Sequence, residues 1–304
     1  MLAGLEETFQ AGLKGEAEEE MTAIETLLGG LIDYAGLYPP ASLDLRSAVQ
    51  NYLKYRRGKH AAALGRLILN IDRLDEFRLI AGESLGDFPL SVIAAENIDC
   101  VLLAEHIGSG LRIESVEIKC SQASEIERLA RQVPRNVMAF FEVPIEMGSL
   151  SALESIRAAG VRAKIRMGGV VREAIPSVSN VAQMLKMLAG LRLSFKATAG
   201  LHHPLRSKQL LTYDPDSPTG MMHGFVNLSC AATVLFFGGD IEEATRLLDD
   251  EDPTAWQVDA DSIRWRDQTW SADQLETVRR DFFLGIGSCS FEEPFQDLES
   301  LGWL

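Results

Sequence analysis

The fold is decided in residues 161–198, which read VRAKIRMGGVVREAIPSVSNVAQMLKMLAGLRLSFKAT. Residues 161–166 predict a strand, residues 178–189 an amphipathic helix, and residues 191–198 a second strand. A strand, a helix and another strand in this order predict two parallel strands that are joined by a right-handed crossover. This segment is therefore predicted to be one β-α-β unit.

The same unit recurs from about residue 21 almost to the end of the chain. Strand-like runs separated by helical stretches lie at residues 31–35, 66–70, 89–94, 113–119, 136–142, 161–166, 191–198 and 283–288. Eight units in about 285 residues match the size of a (β/α)8 barrel. The alternative is an open doubly wound sheet, but the residues after Asp33 read Tyr-Ala-Gly-Leu-Tyr-Pro-Pro, which matches neither a dinucleotide-binding glycine loop nor a Walker loop. The sequence predicts an α/β fold of the TIM-barrel type.

The barrel domain is expected to span residues 21–304, because no linker or composition break divides this part of the chain. Residues 1–20 carry six glutamates and predict an acidic N-terminal helix or arm. Residues 200–219 predict a long loop after the seventh strand. Two short β-type runs near residues 255–267 predict an inserted β-hairpin before the last helical unit.

Composition excludes several classes of protein. The chain has 304 residues, of which 46% are hydrophobic and 24% charged, so disorder, collagen and a disulfide scaffold are excluded. A net charge of −15 repels phosphate backbones and anionic lipids, so we expect neither nucleic-acid nor membrane partners. The four cysteines form no Cys-x-x-Cys pair, and no signal peptide or membrane-spanning run is found, which favours a cytoplasmic protein with reduced thiols.

Charged residues near the ends of the predicted strands are the first site candidates, because barrel enzymes place their active sites at the carboxyl ends of the strands. Period-two alternation places alternate residues of one strand on one face, while the apolar residues between them face the helices. Burying charge costs free energy unless the charges are paired or bind a ligand. The charged residues form either a ligand site, which is the more specific hypothesis, or a structural ion network, which is the simpler one. The candidates are Asp33, Glu117, Lys119, Glu142, Lys164, Arg166, Lys196 and Thr198.

Two of these strand ends resemble a known family. Residues 195–200 read Phe-Lys-Ala-Thr-Ala-Gly and residues 163–166 read Ala-Lys-Ile-Arg. The pair resembles the deoxyribose-phosphate-type aldolases, barrel enzymes whose Schiff-base lysine lies in a strand-end Lys-Thr-Ser-Thr-Gly stretch. The resemblance implies that Lys196 is the carbinolamine-forming lysine and that Lys164 is the cation that lowers its pKa. Ala197 replaces the family's threonine and the two lysine strands come in reverse order, so an anion-binding role for Lys196 stays open.

Three histidines flank the long loop that follows the seventh predicted strand. They are His202, His203 and His223. His202 and His203 are candidates for acid–base catalysis, since histidine titrates near neutral pH. A divalent-metal site that uses His202 or His203 together with His223 and Glu142 is an alternative, although the chain has no His-Glu-x-x-His motif; we predict no required cofactor or metal. Hydrogen bonds that order the loop are a third interpretation.

Glycines after the sixth and eighth strands could hold an anion. Gly168 and Gly169 follow the strand that carries Arg166, and Gly287 and Ser288 end the last strand. Glycine lets backbone amides approach a phosphate, although glycine-rich turns also arise because the chain bends there. Cys289 is a possible nucleophile, but no cation adjacent in sequence supports a lowered pKa.

These candidates predict an enzyme that acts on a small anionic carbonyl compound or a sugar-phosphate-like metabolite. Carbon–carbon lyase (aldolase-like) or isomerase chemistry is the most specific form of this hypothesis. A metal-dependent hydrolase or lyase is one alternative, and a barrel that binds a metabolite without catalysis is another. A homo-oligomer is possible.

Overall fold

The computed structural model describes residues 21–94, 100–120 and 122–304 of the chain. The predicted acidic segment 1–20 lies outside these ranges, as does the beginning of the helix predicted from Glu96 to His106. Elsewhere strands and helices alternate in the predicted order.

The secondary-structure elements of the described residues are labelled in chain order. The strands are β1 (Ile32–Tyr34), β2 (Leu64–Asn70), β3 (Leu90–Ala94), β4 (Ile113–Lys119), β5 (Met138–Val143), β6 (Arg162–Arg166), β7 (Phe195–Thr198), β8 (Ser207–Leu210), β9 (Thr219–Met222), β10 (Trp256–Val258), β11 (Ser262–Trp265), β12 (Gln268–Ser271) and β13 (Phe283–Ser288). The helices are α1 (Ala23–Leu28), α2 (Leu45–Arg56), α3 (Leu74–Ala81), α4 (Cys100–Gly108), α5 (Ala123–Ala130), α6 (Leu150–Ala158), α7 (Val178–Gly190), α8 (Phe225–Phe236), α9 (Ile241–Asp249), α10 (Ala272–Asp281) and α11 (Glu292–Ser300).

Eight parallel strands close into a barrel. The order around it is β1, β2, β3, β4, β5, β6, β7 and β13, and β13 pairs again with β1. Closure is visible at Ile32, which pairs with Leu64 of β2 on one side and with Ile286 of β13 on the other. An open sheet would leave two edge strands, so this pairing excludes the doubly wound alternative and confirms the TIM-barrel prediction.

The predicted alternation of strand faces is also present. Ile118, Ile165 and Ala197 are fully buried in the layer between the strands and the helices. The charged residues next to them on the same strands point the other way, into the barrel. The helices begin where the sequence supplies a cap; at α2, for example, the Asp44 side chain accepts a hydrogen bond from the backbone N–H of Ser47 at 2.9 Å.

Two antiparallel excursions leave the barrel. The hairpin predicted near residues 255–267 is present as β10 and β11, but a third strand, β12, extends it to Ser271. The sequence pattern does not indicate the third strand, because residues 266–270 contain a charged turn that interrupts the alternation of apolar residues. The long loop predicted over residues 200–219 is not wholly irregular, since β8 and β9 pair within this region as a second hairpin.

No helix in the described ranges has both the length and the apolar composition needed to cross a bilayer.

Candidate active site at the barrel mouth

Six charged side chains from five barrel strands form a continuous network inside the barrel, which we call the interior ion chain. Positive and negative groups alternate along it. In order of contact its members are Asp33, Lys196, Glu117, Lys164, Glu142 and Arg166. The three acids and three bases balance, so the chain carries no net formal charge, which is the condition under which buried charges are tolerated.

The deep end of the interior ion chain is centred on Lys196. Its Nζ lies 2.5 Å from Asp33 Oδ2 and 2.7 Å from Glu117 Oε1, and the side chain is 1% exposed. Asp33 Oδ1 accepts a hydrogen bond of 2.7 Å from the backbone N–H of Arg66. A Cβ at Gly65 would stand 2.4 Å from the same carboxylate oxygen, so glycine is required for this approach.

The surroundings of Lys196 do not suit the Schiff-base role that the aldolase resemblance implies. Burial alone would lower the pKa of Lys196, but Asp33 and Glu117 outweigh burial and raise it. A carbonyl is attacked only by an unprotonated amine, so the shift has the wrong direction. Glu117 also lies between Lys196 and Lys164, so the second lysine does not act as the predicted pKa-lowering neighbour. Lys196 is an anchoring cation in this geometry.

The outer end of the interior ion chain reaches solvent at Arg166. Lys164 Nζ lies 2.8 Å from Glu142 Oε2, and Arg166 Nε lies 3.1 Å from Glu142 Oε1. Burial would raise the pKa of Glu142, but Lys164 and Arg166 outweigh burial and lower it. The Arg166 side chain is 52% exposed, and its terminal amino groups donate no hydrogen bond to any described residue. The predicted inward direction of Lys164 and Arg166 is confirmed by these contacts.

Glu117 joins the two ends. Its Oε1 accepts hydrogen bonds from Lys196 and from the Ser91 hydroxyl, the latter at 2.8 Å. Its Oε2 lies 2.6 Å from Lys164 Nζ, so each carboxylate oxygen is paired with an ammonium group. Burial would raise the pKa of Glu117, but the ammonium groups of Lys164 and Lys196 outweigh burial and hold the pKa below its usual range. Glu117 is therefore an ionised carboxylate that links the two lysines.

A cavity of about 390 Å³ opens above these residues at the carboxyl ends of the strands. Glu117 and Lys164 line it together with residues of the surrounding loops, whereas Asp33 and Lys196 do not reach it. The volume suits a small metabolite. The remaining polar, thiol and glycine residues that line it are Tyr38, Arg166, Gly168, Gly169, Thr198, Gly287, His202 and Cys289.

The glycines at the cavity rim allow two loops to approach closely. A Cβ at Gly168 would stand 3.1 Å from Gly200 Cα, and one at Gly287 would stand 2.8 Å from Thr198 Oγ1. Ala199, between Thr198 and Gly200, has a φ of 63°, a left-handed conformation that costs free energy for a residue with a side chain. Close packing thus accounts for Gly168 and Gly287, which also border the cavity as predicted.

A second polar cluster, which we call the thiol–imidazole cluster, lies where the chain leaves β7 and β13, and two of its members, Cys289 and His202, line the cavity. It consists of Cys289, His202, Glu293 and Tyr213. Cys289 Sγ lies 3.8 Å from His202 Nε2, His202 Nδ1 lies 3.2 Å from Glu293 Oε2, and the Tyr213 hydroxyl lies 3.9 Å from Sγ. Burial would lower the pKa of His202, but hydrogen bonds with Cys289 and Glu293 outweigh burial and raise the pKa to about 9.

Besides Asp33, two of the predicted binding residues do not line the cavity. Lys119 shares the inward face of β4 with Glu117 but is exposed at the strand end, and it does not line the cavity. Ser288 is buried, and its hydroxyl donates to the Ser290 carbonyl oxygen at 2.7 Å. Both predictions assumed that every polar residue at a strand end reaches the mouth, whereas side-chain direction beyond the last strand residue depends on the loop.

The three predicted histidines have separate environments. His203 Nδ1 lies 2.6 Å from Asp297 Oδ2, and His203 does not line the mouth cavity. His223 is buried, and its Nε2 lies 2.8 Å from the Pro176 carbonyl oxygen. Within the described ranges no group of three or more His, Cys, Asp or Glu side chains is placed to hold a metal ion. His202, His203, His223 and Glu142 therefore do not form the alternative metal site.

The sequence indicates Cys289 as a possible nucleophile, but local patterns reveal neither its partner nor the nearby Glu293 and Tyr213. The cation-forming partner of Cys289 is His202, 87 residues earlier. The spacing Cys-x-x-x-Glu after the last strand is the only local sign that two polar side chains lie in the thiol–imidazole cluster.

Comparisons with known proteins add little beyond the fold. No protein-family model matches the chain, and no curated protein matches it. Among solved structures, the chain is similar to FabK from Thermotoga maritima, with 16% identity and a TM-score of 0.36 over 60% of this chain and 55% of that chain. A mutant of the same protein matches with equal identity and TM-score over 58% of its length. The matches span less than two thirds of either FabK chain, and the barrel assignment rests on the closed strand order itself.

Proposed function

We propose that this protein is an enzyme that acts on a small anionic carbonyl compound or sugar-phosphate-like metabolite bound in the mouth cavity. The observation that carries the proposal is the pair of cations Lys164 and Arg166, which both line the cavity, with Arg166 half exposed. The ammonium of Lys164 would polarise a carbonyl oxygen of the ligand, while Arg166 would hold its anionic group. Both roles require a polar ligand rather than an apolar one.

Arg166 is proposed to hold the anionic group of the ligand. It lines the cavity, its terminal amino groups are available, and its planar fork matches a carboxylate or phosphate. The adjacent Gly168 and Gly169 leave room for such a group at the rim. In a protein with a net charge of −15, a local cation at the mouth would also concentrate an anionic ligand.

The proposed chemistry is a proton transfer next to the carbonyl, as in an isomerase or a carbon–carbon lyase that forms no Schiff base. Glu142 does not itself line the cavity, but it contacts Lys164 and Arg166, which do, and its side chain is 13% exposed; its carboxylate is the proposed proton acceptor. Lys196 takes no covalent part. Borohydride added in the presence of pyruvate should therefore leave Lys196 unmodified.

A thermal-shift titration with inorganic phosphate, pyruvate and glyceraldehyde 3-phosphate tests the binding site. A ligand at about 100 times its Kd stabilises the folded state by about 2.7 kcal/mol, which such a titration resolves. Arg166→Gln should abolish the shift, whereas Arg131→Gln, on the surface of the same protein, should preserve it. The proposal fails if none of these anions raises the melting temperature of the unsubstituted protein.

Deuterium exchange at the carbon next to the carbonyl tests the chemistry in the same samples. Exchange that is lost in Glu142→Gln would support the enzyme. Binding without exchange would favour the second candidate, a barrel that binds a metabolite without catalysis. That candidate is supported by the charge balance of the interior ion chain, in which every acid already has a basic partner.

A further inference from the structure

We propose that Cys289 is a nucleophilic thiol that accepts acyl groups, with His202 as its proton acceptor and Glu293 as the carboxylate that positions His202. This inference goes beyond the proposed function and takes from it only the anion site at Arg166. It concerns the part of the cavity wall that follows β7 and β13.

The geometry has the three parts that nucleophilic catalysis requires. Cys289 and His202 are each 6% exposed, and both line the mouth cavity. The thiol Sγ lies 3.8 Å from His202 Nε2 and 3.9 Å from Nδ1, within reach of a sulfur hydrogen bond. Glu293 Oε2 lies 3.2 Å from Nδ1 and fixes the ring. A nucleophile next to a base, with the base held by a third group, is the arrangement shared by unrelated thiol and serine enzymes.

The charges around His202 favour transfer of the thiol proton to the imidazole. The groups that face the ring are Cys289, Glu293, Tyr213 and, with ring centroids 6.4 Å apart, His203. The pKa of His202 is raised to about 9 because its contacts with Cys289 and Glu293 outweigh burial. An imidazolium beside a sulfur stabilises the thiolate, which is the nucleophilic form.

His202 separates the mouth cavity from a second cavity of about 260 Å³. Tyr213 and Glu293 line the second cavity, and Tyr213 is 55% exposed, so this side connects to the surface. The Tyr213 hydroxyl lies 3.9 Å from Sγ, and burial raises its pKa, which keeps the proton on the phenol. The hydroxyl can therefore donate to an oxygen on the carbon that Sγ attacks.

The proposed step balances with water as the only co-reactant. The Sγ–carbon bond forms as the Sγ proton passes to His202 and the carbonyl electron pair moves to oxygen. When the carbonyl re-forms, the bond to the leaving alcohol or thiol breaks and His202 returns the proton to it. Water then attacks the acyl-cysteine, His202 takes the water proton, and the thiol is restored as the acid leaves.

The strand register sets the class of substrate. Arg166 pairs with Thr198 on β7, and Thr198 pairs with Gly287 on β13, two residues before Cys289. Two interstrand spacings separate the anion site from the end of β13, which is about 10 Å between backbones. The side chains of Arg166 and Cys289 both shorten this separation by reaching inward. A ligand that contacts both can therefore have only a few bonds between its anionic group and its carbonyl carbon. The substrate is therefore an ester or thioester of a short acid that carries a second anionic group.

Alkylation kinetics test the nucleophile without any substitution. Iodoacetate carries a carboxylate and iodoacetamide does not, so iodoacetate should react faster at Cys289, and Arg166→Gln should remove this preference. Cys120 and Cys230, which are buried free thiols, are internal controls in peptide-resolved mass spectrometry. Cys289 should react faster than Cys120 and Cys230 with both reagents.

Three variants assign the roles of the cluster. His202→Gln should slow alkylation of Cys289 by about 100-fold, the scale of a lost general base. His60→Gln, a control on the surface beside Phe295, should not change it. Glu293→Gln should shift the pH profile of alkylation, and Glu293→Asp should restore part of it, neither of which a purely structural role predicts.

An acyl probe tests the transfer itself. Mono-4-nitrophenyl succinate should give a burst of one nitrophenolate per protein with a succinyl group on Cys289, whereas 4-nitrophenyl acetate should react more slowly. Cys289→Ala should remove the burst. The proposal is overturned if Cys289 reacts no faster than Cys120 with either alkylating agent. If Cys289 is reactive but Arg166→Gln changes no preference, the thiol assignment stands and the anion site of the proposed function fails.

Discussion

The two walls of the mouth cavity hold their polar side chains in different ways. On the wall formed by β4, β5 and β6, ion pairs of 2.6 to 3.1 Å connect Glu117, Lys164, Glu142 and Arg166. On the wall that follows β7 and β13, Cys289 Sγ and His202 Nε2 meet at 3.8 Å, and Glu293 Oε2 lies 3.2 Å from His202 Nδ1. Every charge of the first wall has a partner at ion-pair distance, whereas the thiol of the second wall has only long contacts.

This difference follows from the free energy of burial. A buried ammonium must find carboxylates, because an unpaired ion in a low-dielectric interior costs several kcal/mol. A buried thiol carries a smaller penalty, so Cys289 can remain with only long contacts. The ion pairs of the charged wall therefore stabilise the barrel as well as lining the cavity, whereas the contacts of the thiol contribute less to stability.

The largest effect should come from breaking the charged wall at its centre. Glu117→Gln leaves Lys164 and Lys196 with one carboxylate each, so the free energy of unfolding should fall by about 3–5 kcal/mol. Urea unfolding measures it. The control is Glu127→Gln, which breaks an exposed pair with Arg131 and should cost less than about 0.5 kcal/mol. A loss below about 1 kcal/mol at Glu117 would contradict the structural role of the interior ion chain.

The two walls should lose stability at opposite ends of the pH range. The pKa of His202 is raised from 6.5 to about 9, so its contribution is complete below pH 6.5 and is lost as pH rises through 9, about 3 kcal/mol in all. The pKa values of Glu117 and Glu142 are lowered from 4.5, so their contribution is complete above pH 4.5 and is lost as pH falls through their folded-state values.

Unfolding curves across the pH range separate these contributions. His202→Gln should flatten the alkaline side and leave the acid side unchanged. An alkaline loss of the same size in that variant would assign the effect to other groups, such as tyrosines, and would remove the charge argument for the thiol–imidazole cluster.

A smaller effect is expected where the backbone approaches the deep end of the interior ion chain. Gly65→Ala should destabilise the protein by about 1–3 kcal/mol, the scale of overpacking, because its Cβ would displace the Asp33 carboxylate from the backbone. Gly86→Ala is the matched control, since nothing lies within 4 Å of a Cβ there. Equal melting temperatures for the two variants would mean that Asp33 can move without cost.

Local sequence patterns predicted most of the barrel. The strands predicted at residues 113–119 and 283–288 are β4 and β13 with the same bounds. The strand predicted from Leu191 begins instead at Phe195, because helix α7 ends at Gly190 and Arg192 takes a φ of 50°, which interrupts extended backbone. Periodicity reports burial well, but it does not detect a single left-handed residue in a polar turn.

The site was less accessible to prediction because its contacts are distant in sequence. The inward direction of Lys164 and Lys196 followed from period-two alternation, but their partners did not. The Lys196–Asp33 contact joins residues 163 apart, and the His202–Cys289 contact joins residues 87 apart. Barrel closure brings these pairs together, and only the closed register shows which carboxylate lies between the two lysines.

The smallest effect on stability should come from the exposed end of the charged wall. Arg166→Ala should change the free energy of unfolding by less than about 0.5 kcal/mol, because the side chain is half exposed and Glu142 keeps its contact with Lys164. The same variant should weaken binding of an anionic ligand by about 2–3 kcal/mol, the scale of a lost hydrogen bond to a charged group. Urea unfolding and calorimetric titration with phosphate measure the two quantities on one sample.

Lys164→Ala is the contrasting variant. It leaves Glu117 and Glu142 without their shared ammonium group, so its main effect should be a lower free energy of unfolding. If Arg166→Ala proves as destabilising as Lys164→Ala, the outer end belongs to the structural network, and the anion site must be sought elsewhere in the cavity.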